Sequence, residues 1–130
     1  MRKLLFLFIS SLAIFALSIS VSAQSKVVVK FKAGETSVTR KDQVAGYKYI
    51  DYIIRAKSGQ TMDVKLKADN ETCGFHIYYS DMKEVDDASG VKESSRNVDV
   101  DDDYVVRVIL PRSAARRKET ARFTLDVSIR

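Results

Sequence analysis

After its first two dozen residues, the chain alternates apolar and polar positions with a period of two, the mark of strands that bury one face. The pattern is clearest near the C-terminus. Tyr104, Val106, Val108 and Leu110 share one face, and after a polar interval Ala121, Phe123, Leu125, Val127 and Ile129 do the same. Between these runs Pro111 lacks a backbone donor and fits the last residue of a strand or the start of a turn. The spacing therefore predicts a hairpin over Arg107 to Ile129 that turns near Pro111. Its tip presents Arg112, Arg116, Arg117 and Lys118 to solvent, with Ser113, Ala114 and Ala115 adding little bulk between the guanidinium groups.

The same period recurs upstream. Lys26 to Lys32 reads as a first strand with Val27, Val29 and Phe31 on the buried side, and the polar stretch Thr36 to Lys41 as a short second one. From Tyr47 to Lys57, Ile50, Tyr52 and Ile54 define an inner face. Lys48 then lies at the start of the strand, where its charge has to reach the rim, and Tyr47 and Tyr49 lie on the outward side of the same end. Ser58-Gly59-Gln60 supplies a turn, and Thr61 to Ala68 returns with Met62, Val64, Leu66 and Ala68 inward, predicting a second hairpin. Asp69 to Gly74 is a polar turn, followed by a fifth strand through Phe75, Ile77 and Tyr79. Ser80 to Asp103 is read as a long connection with one or two short strands around Val85 and Val98. No segment carries a helical stripe. The expected fold class is all-β, a small antiparallel β-sandwich of about seven to eight strands.

The first 23 residues follow another logic. Arg2 and Lys3 precede an apolar run from Leu4 to Ile19, and Val21-Ser22-Ala23 offers a cleavage site, the layout of a secretory signal. The run is short for a membrane span and is interrupted by Ser10, Ser11 and Ser18. Residues 1–23 are thus expected to be a cleaved signal and 24–130 a single domain, periplasmic or secreted, with no membrane attachment after cleavage. Loss of Arg2 and Lys3 lowers the formal net charge from +5 to +3. So mild a balance does not argue for nucleic acid. What changes the picture is location: arginine gathers in the last predicted hairpin, and acids gather between Asp81 and Asp103.

Candidate chemistry is sparse. Cys73 is the only cysteine, so the domain has no internal disulfide, and the single His76 has no recognisable partner for nucleophilic work. Asn70-Glu71-Thr72 matches a glycosylation sequon, which carries little weight behind a bacterial export signal. Asp99, Asp101, Asp102 and Asp103 offer oxygen ligands, but without the spacing of a calcium loop, so no metal or other cofactor is expected. No G-x-S-x-G, H-E-x-x-H or comparable catalytic arrangement is present, and the chain reads as a non-enzyme. The basic tip remains. Three arginines weigh against a plain solvated turn, because guanidinium forks make bidentate bonds to carboxylate or phosphate that lysine cannot reproduce.

Three blocks carry a family resemblance: VVVKFKAGETS, AGYKYIDYIIRAKSGQTMDVKL and DYVVRVILPRSAARRKETARFTLDVSI. Within them, G-Y-x-Y before a strand, the A-K-x-G-Q turn and R-V-x-x-x-R-x-x-A-R in the final segment are the specific features. Through these the chain resembles the periplasmic inhibitors of g-type (goose-type) lysozyme. The resemblance implies an eight-stranded sandwich that plugs a lysozyme active site with protruding loops. It implies further that Tyr47, Arg112 and Arg116 enter the cleft; beside them, Arg117 and Lys118 are placed to steer the encounter, and Tyr49 and Lys48 to line the rim. The segment Cys73 to Asp103 departs from the family pattern. The alternative reading is a periplasmic sandwich module that binds carbohydrate or anionic glycan without inhibiting anything. The absence of Trp, the largest stacking surface, counts against it.

The signal reading predicts that the exported protein begins at Gln24. Intact-mass measurement of the periplasmic fraction checks this, and a retained Met1 would refute it.

Overall fold

The period-two runs form eight strands in the computed structural model, which describes residues 24–85 and 87–130. They are β1 Gln24–Val28, β2 Ser37–Ala45, β3 Tyr49–Ala56, β4 Thr61–Ala68, β5 Gly74–Tyr78, β6 Glu93–Asn97, β7 Asp102–Ile109 and β8 Thr120–Ile129. A one-turn helix, α1 Arg112–Arg116, joins β7 to β8. One four-stranded sheet has the order β1-β3-β7-β5 and the other β2-β8-β4-β6. All pairs are antiparallel except β1 with β3, which run parallel. The expected sandwich is therefore observed, with one parallel edge pair. The expected signal over Met1–Ala23 lies outside the described residues.

Odd-numbered strands occupy one sheet and even-numbered strands the other, so every connection crosses the core. This corrects two expectations. Neither β3 with β4 nor β7 with β8 is a hairpin: β3 pairs β1 and β7, whereas β8 pairs β2 and β4. The inward faces agree with expectation, but an apolar face is covered equally well by a strand packed across the core as by a continuous sheet surface. Alternation reports which side is buried and not which strand lies alongside.

The core is built from the residues that the alternation selects. Ile50, Tyr52 and Ile54 of β3, Met62, Val64 and Leu66 of β4, Phe75 and Ile77 of β5, Tyr104, Val106 and Val108 of β7, and Ala121, Phe123, Leu125 and Val127 of β8 are all buried. Cys73 is buried beside them, and burial pushes its thiol up to about 11, leaving it protonated at neutral pH. β2 runs to Ala45, further than expected, because Arg40 and Asp42 stand opposite inward-facing Leu125 and Phe123 and hide the alternation. Charges pointing inward on an edge strand discourage pairing with a further strand.

Residues 79–85 and 87–92 cover the free edge of β5. Val85 is buried there without belonging to a strand, and the segment meets β5 through isolated bridges, Tyr78 with Glu84 and Phe75 with Val91, and through backbone bonds from Ile77 N–H to Ala88 O at 3.0 Å and from Val85 N–H to Ile77 O at 2.9 Å. Gly74 permits the approach, since a Cβ there would stand 3.2 Å from the Gly90 carbonyl. The short strand expected near Val98 is β6, which ends one residue before it.

Two polar devices brace the sandwich. Asp51 faces outward from β3 yet is only 3% exposed, because Arg107, its partner on β7, donates to both carboxylate oxygens at 2.8 and 3.0 Å. The Arg107 guanidinium lies 3.9 Å from the ring centroid of Tyr49 and 5.3 Å from that of Tyr78, and Asp51 raises its pKa further. At the end of the sandwich where β7 begins, the acidic run acts as a set of staples. Asp99 accepts from the hydroxyls of Tyr79 and Tyr104, Asp101 from the Ser58 amide, and Asp102 from the Ser80 amide, while Asp103 pairs with Arg55. Tyr104 also donates to the carbonyl of Val100, four residues upstream, the tyrosine corner of sandwich domains.

Replacing Asp51 with Ala strands the Arg107 charge and is expected to cost about 3 kcal/mol. Denaturant unfolding of Asp51→Ala checks this, and a loss below about 1 kcal/mol would show that the pair is not a brace. The acid staples predict a pH dependence. Hydrogen bonds from Tyr79 to Asp99 and from Ser80 to Asp102 hold both carboxyls below their ordinary values. Their stabilisation is complete above the usual carboxyl range, about pH 4, and is lost as pH falls through the lowered values. Melting curves should show a shallower loss of stability below pH about 4 for Asp99→Asn than for the unaltered chain.

Candidate functional site

The pairing registers bring three connections to one end of the sandwich: β2–β3 with Gly46, Tyr47 and Lys48; β4–β5 over residues 69–73; and β7–β8 with α1. The acidic staples sit at the opposite end, where β7 starts beside Ala56. The charge segregation along the sequence is thus a segregation along the long axis of the domain.

The segment after Pro111 was expected to be a loop and is a single helical turn. Pro111 is the N-cap, extended at φ −65° and ψ 159°, and its carbonyl accepts from the Ala115 amide at 2.9 Å. The turn is too short for a helical stripe to be legible, and tertiary packing holds it: Ala114 and Ala115, expected as mere spacers, are buried against the domain. Its C-terminus closes in a Schellman motif, with Lys118 N–H donating to Ala115 O at 3.0 Å and Glu119 N–H to Ala114 O at 3.1 Å. Lys118 takes the left-handed position, φ +56°, that usually falls to glycine.

Arg112 and Arg116 are four residues apart on α1 and share its solvent face. Both are exposed, and among the described residues neither has an ion-pair partner. Like charges at this spacing repel, and Arg112 stands at the positive end of the helix with no acid in the first turn. An approaching carboxylate would relieve both terms. Arg117 differs from its neighbours, because its Nε donates to Glu119 Oε2.

Tyr47 projects from the β2–β3 turn and is 61% exposed. Gly46 makes the turn with φ +59° and donates its N–H to Glu119 O at 2.9 Å, fastening the tyrosine turn to the far end of α1. Tyr47 and Arg116 line one depression of about 460 Å³, together with Ala45, Lys48, Ala115 and Lys118. Its walls are mostly apolar, with cations at its rim. Tyr49 lies further along, half-buried on the outer face of β3, with its ring over Arg107. Larger grooves of about 760 and 510 Å³ lie elsewhere, lined by β2, β4 and β8 residues such as Lys41, Lys67 and Arg122 in the first and Ser37, Asp63 and Ser128 in the second; neither includes a residue expected at the site.

Sequence reasoning missed two residues of this end, Asn70 and Glu119. Asn70 Nδ2 donates to Glu119 Oε1 at 3.0 Å and to Thr120 O at 3.2 Å, while its Oδ1 accepts from the amide and hydroxyl of Thr72. The signal was the Asn-x-Thr turn itself, which reads as a sequon but works as a side-chain-capped turn. Glu119, the lone acid beside a run of cations, was the other available signal.

No family model matches the chain. An inhibitor of g-type lysozyme from Escherichia coli strain K12 is 26% identical over 121 residues, spanning 87% of each chain. Among solved structures, the chain is similar to PliG of Aeromonas hydrophila, a periplasmic lysozyme inhibitor of g-type lysozyme, with a TM-score of 0.75 and 28% identity over 82% of this chain and 97% of that one. A mutant PliG of Escherichia coli gives 0.66 and 25% over 82% and 99%. The resemblance carried by the three sequence blocks therefore extends to the fold, and these relatives are inhibitors rather than enzymes.

Proposed function

We propose that this chain is a periplasmic inhibitor of g-type lysozyme that blocks the cleft of the enzyme with the end of the sandwich bearing α1 and Tyr47. The observation that carries the reading is the pair of unneutralised guanidinium groups, Arg112 and Arg116, on the solvent face of α1, with exposed Tyr47 beside Arg116 at one depression. A glycosidase cleft holds catalytic carboxylates, and an inserted guanidinium pairs with them in bidentate fashion. Tyr47 fills space meant for sugar. Tyr49, held over Arg107, lines the rim, and Lys48 and Lys118 supply charge around the depression. The reading is further supported by similarity to g-type lysozyme inhibitors over nearly all of the described domain.

Two features suit insertion. The arginines sit on a helical turn anchored by buried Ala114 and Ala115, so less ordering is needed on binding. The acidic cluster Asp99, Asp101, Asp102 and Asp103 lies at the other end, so the long-range field favours approach of the arginine-bearing end to a negative cleft. Arg117 is assigned a lesser role in steering than its position among the cations suggests, since Glu119 already neutralises it.

Inhibition of a g-type lysozyme is the test. Arg112→Ala and Arg116→Ala are each expected to raise the inhibition constant by roughly 30- to 1,000-fold, about 2–4 kcal/mol. Tyr47→Ala is expected to raise it about 10-fold or more, and Arg117→Ala less than about 5-fold. Unchanged potency in the first three variants would refute the site. Retention on a polysaccharide column with no effect on lysozyme would replace the inhibitor reading with glycan binding.

A further inference from the structure

We infer that Glu119 is the positioning residue of the binding end: it fastens α1, the Tyr47 turn and the β4–β5 connection to one another and does not itself touch the partner. The functional consequence rests on the inhibitor reading, whereas the geometry stands without it.

Four groups of Glu119 are engaged, and each leads to a different place. Oε1 accepts from Asn70 Nδ2 of the β4–β5 connection, and Oε2 accepts from Arg117 Nε just beyond α1. The backbone carbonyl accepts from the Gly46 amide, next to Tyr47, and the backbone N–H completes the Schellman motif on Ala114. Asn70 is itself immobilised by Thr72 and by the Thr120 carbonyl, so the carboxylate is tied to a fixed point. These bonds hold the carboxyl of Glu119 below its ordinary value, that from Asn70 first and that from Arg117 second.

An acid in the middle of a surface meant for carboxylates is electrostatically counterproductive unless it serves the geometry. Here it neutralises Arg117 and leaves Arg112 and Arg116 free. It also holds the end of a five-residue helix that is too short to persist by itself. The Gly46 bond is main-chain and continues the β2–β8 ladder beyond Ala45 and Thr120, so by fixing the backbone at position 119 the Glu119 carboxylate sets where Tyr47 stands relative to Arg116. An arginine pair and a tyrosine that enter one cleft together need that spacing fixed before they meet it.

The test compares Glu119→Ala, Glu119→Gln and Asn70→Ala with the unaltered chain. Amide exchange at Gly46, read by NMR with no lysozyme present, is expected to speed up at least 10-fold in Glu119→Ala and in Asn70→Ala. In Glu119→Gln, which keeps an acceptor for Asn70, it should be partly restored. Against g-type lysozyme, Glu119→Ala is expected to speed dissociation about 10-fold while changing association less than about 2-fold. In a Tyr47→Ala background the same change should cost markedly less, because both act through one turn. Gly46 exchange that is unaltered in both alanine variants would overturn the positioning role, whether or not the protein inhibits lysozyme. Tighter inhibition by Glu119→Ala, or full additivity with Tyr47→Ala, would overturn it as well. Faster Gly46 exchange in a chain that never inhibits lysozyme would uphold the geometry and remove the inhibitor reading alone.

Discussion

Each successive strand of this domain has to cross about 10 Å of apolar core to reach the opposite sheet, and the rest of the structure follows from that requirement. With odd strands in one sheet and even strands in the other, no connection is a tight hairpin between hydrogen-bonded neighbours. Most are instead arches over one end of the core, whereas the β5–β6 segment returns along the free edge of β5. Three arches, β2–β3, β4–β5 and β7–β8, close the same end, and residues distant in sequence such as Gly46, Asn70 and Glu119 meet there. A meander of hairpins with the same buried faces would place β7 beside β8 within one sheet and change which loops stand next to the arginines.

Electrostatics divides along the same axis. Acids near the start of β7 are occupied by Tyr79, Tyr104, Ser58, Ser80 and Arg55 and act as braces. At the other end the charge is left uncompensated: Arg112 and Arg116 have no internal ion-pair partner among the described residues, and α1 is less stable for it. The Asp51–Arg107 pair is the counterexample that gives this meaning. Where the fold needs an arginine for itself, it supplies a bidentate carboxylate and two aromatic rings.

Much of this is legible in the chain itself. The inward faces of β3, β4, β7 and β8 follow from alternation, and the concentration of arginine after Pro111 follows from the order of residues. Other features are hidden for identifiable reasons. β2 carries Arg40 and Asp42 on its inward side, so its alternation fails although the strand extends to Ala45. α1 is one turn long, and no hydrophobic period is readable in five residues. Asn70 and Glu119 are unremarkable alone and acquire a role only through each other.

Local chain chemistry, then, determined which side of each strand faces the core, where the charges cluster, and that a two-layer β domain results. These are properties of neighbours along the backbone, and hydrophobic burial enforces them whatever the topology. Only the tertiary structure decided which strand lies beside which and that the connection after Pro111 folds as a helical turn. It also decided that Tyr47 stands next to Arg116 with Glu119 holding both in place. Strand partners are chosen by packing across the core, a relation between residues dozens of positions apart that alternation along one segment does not encode.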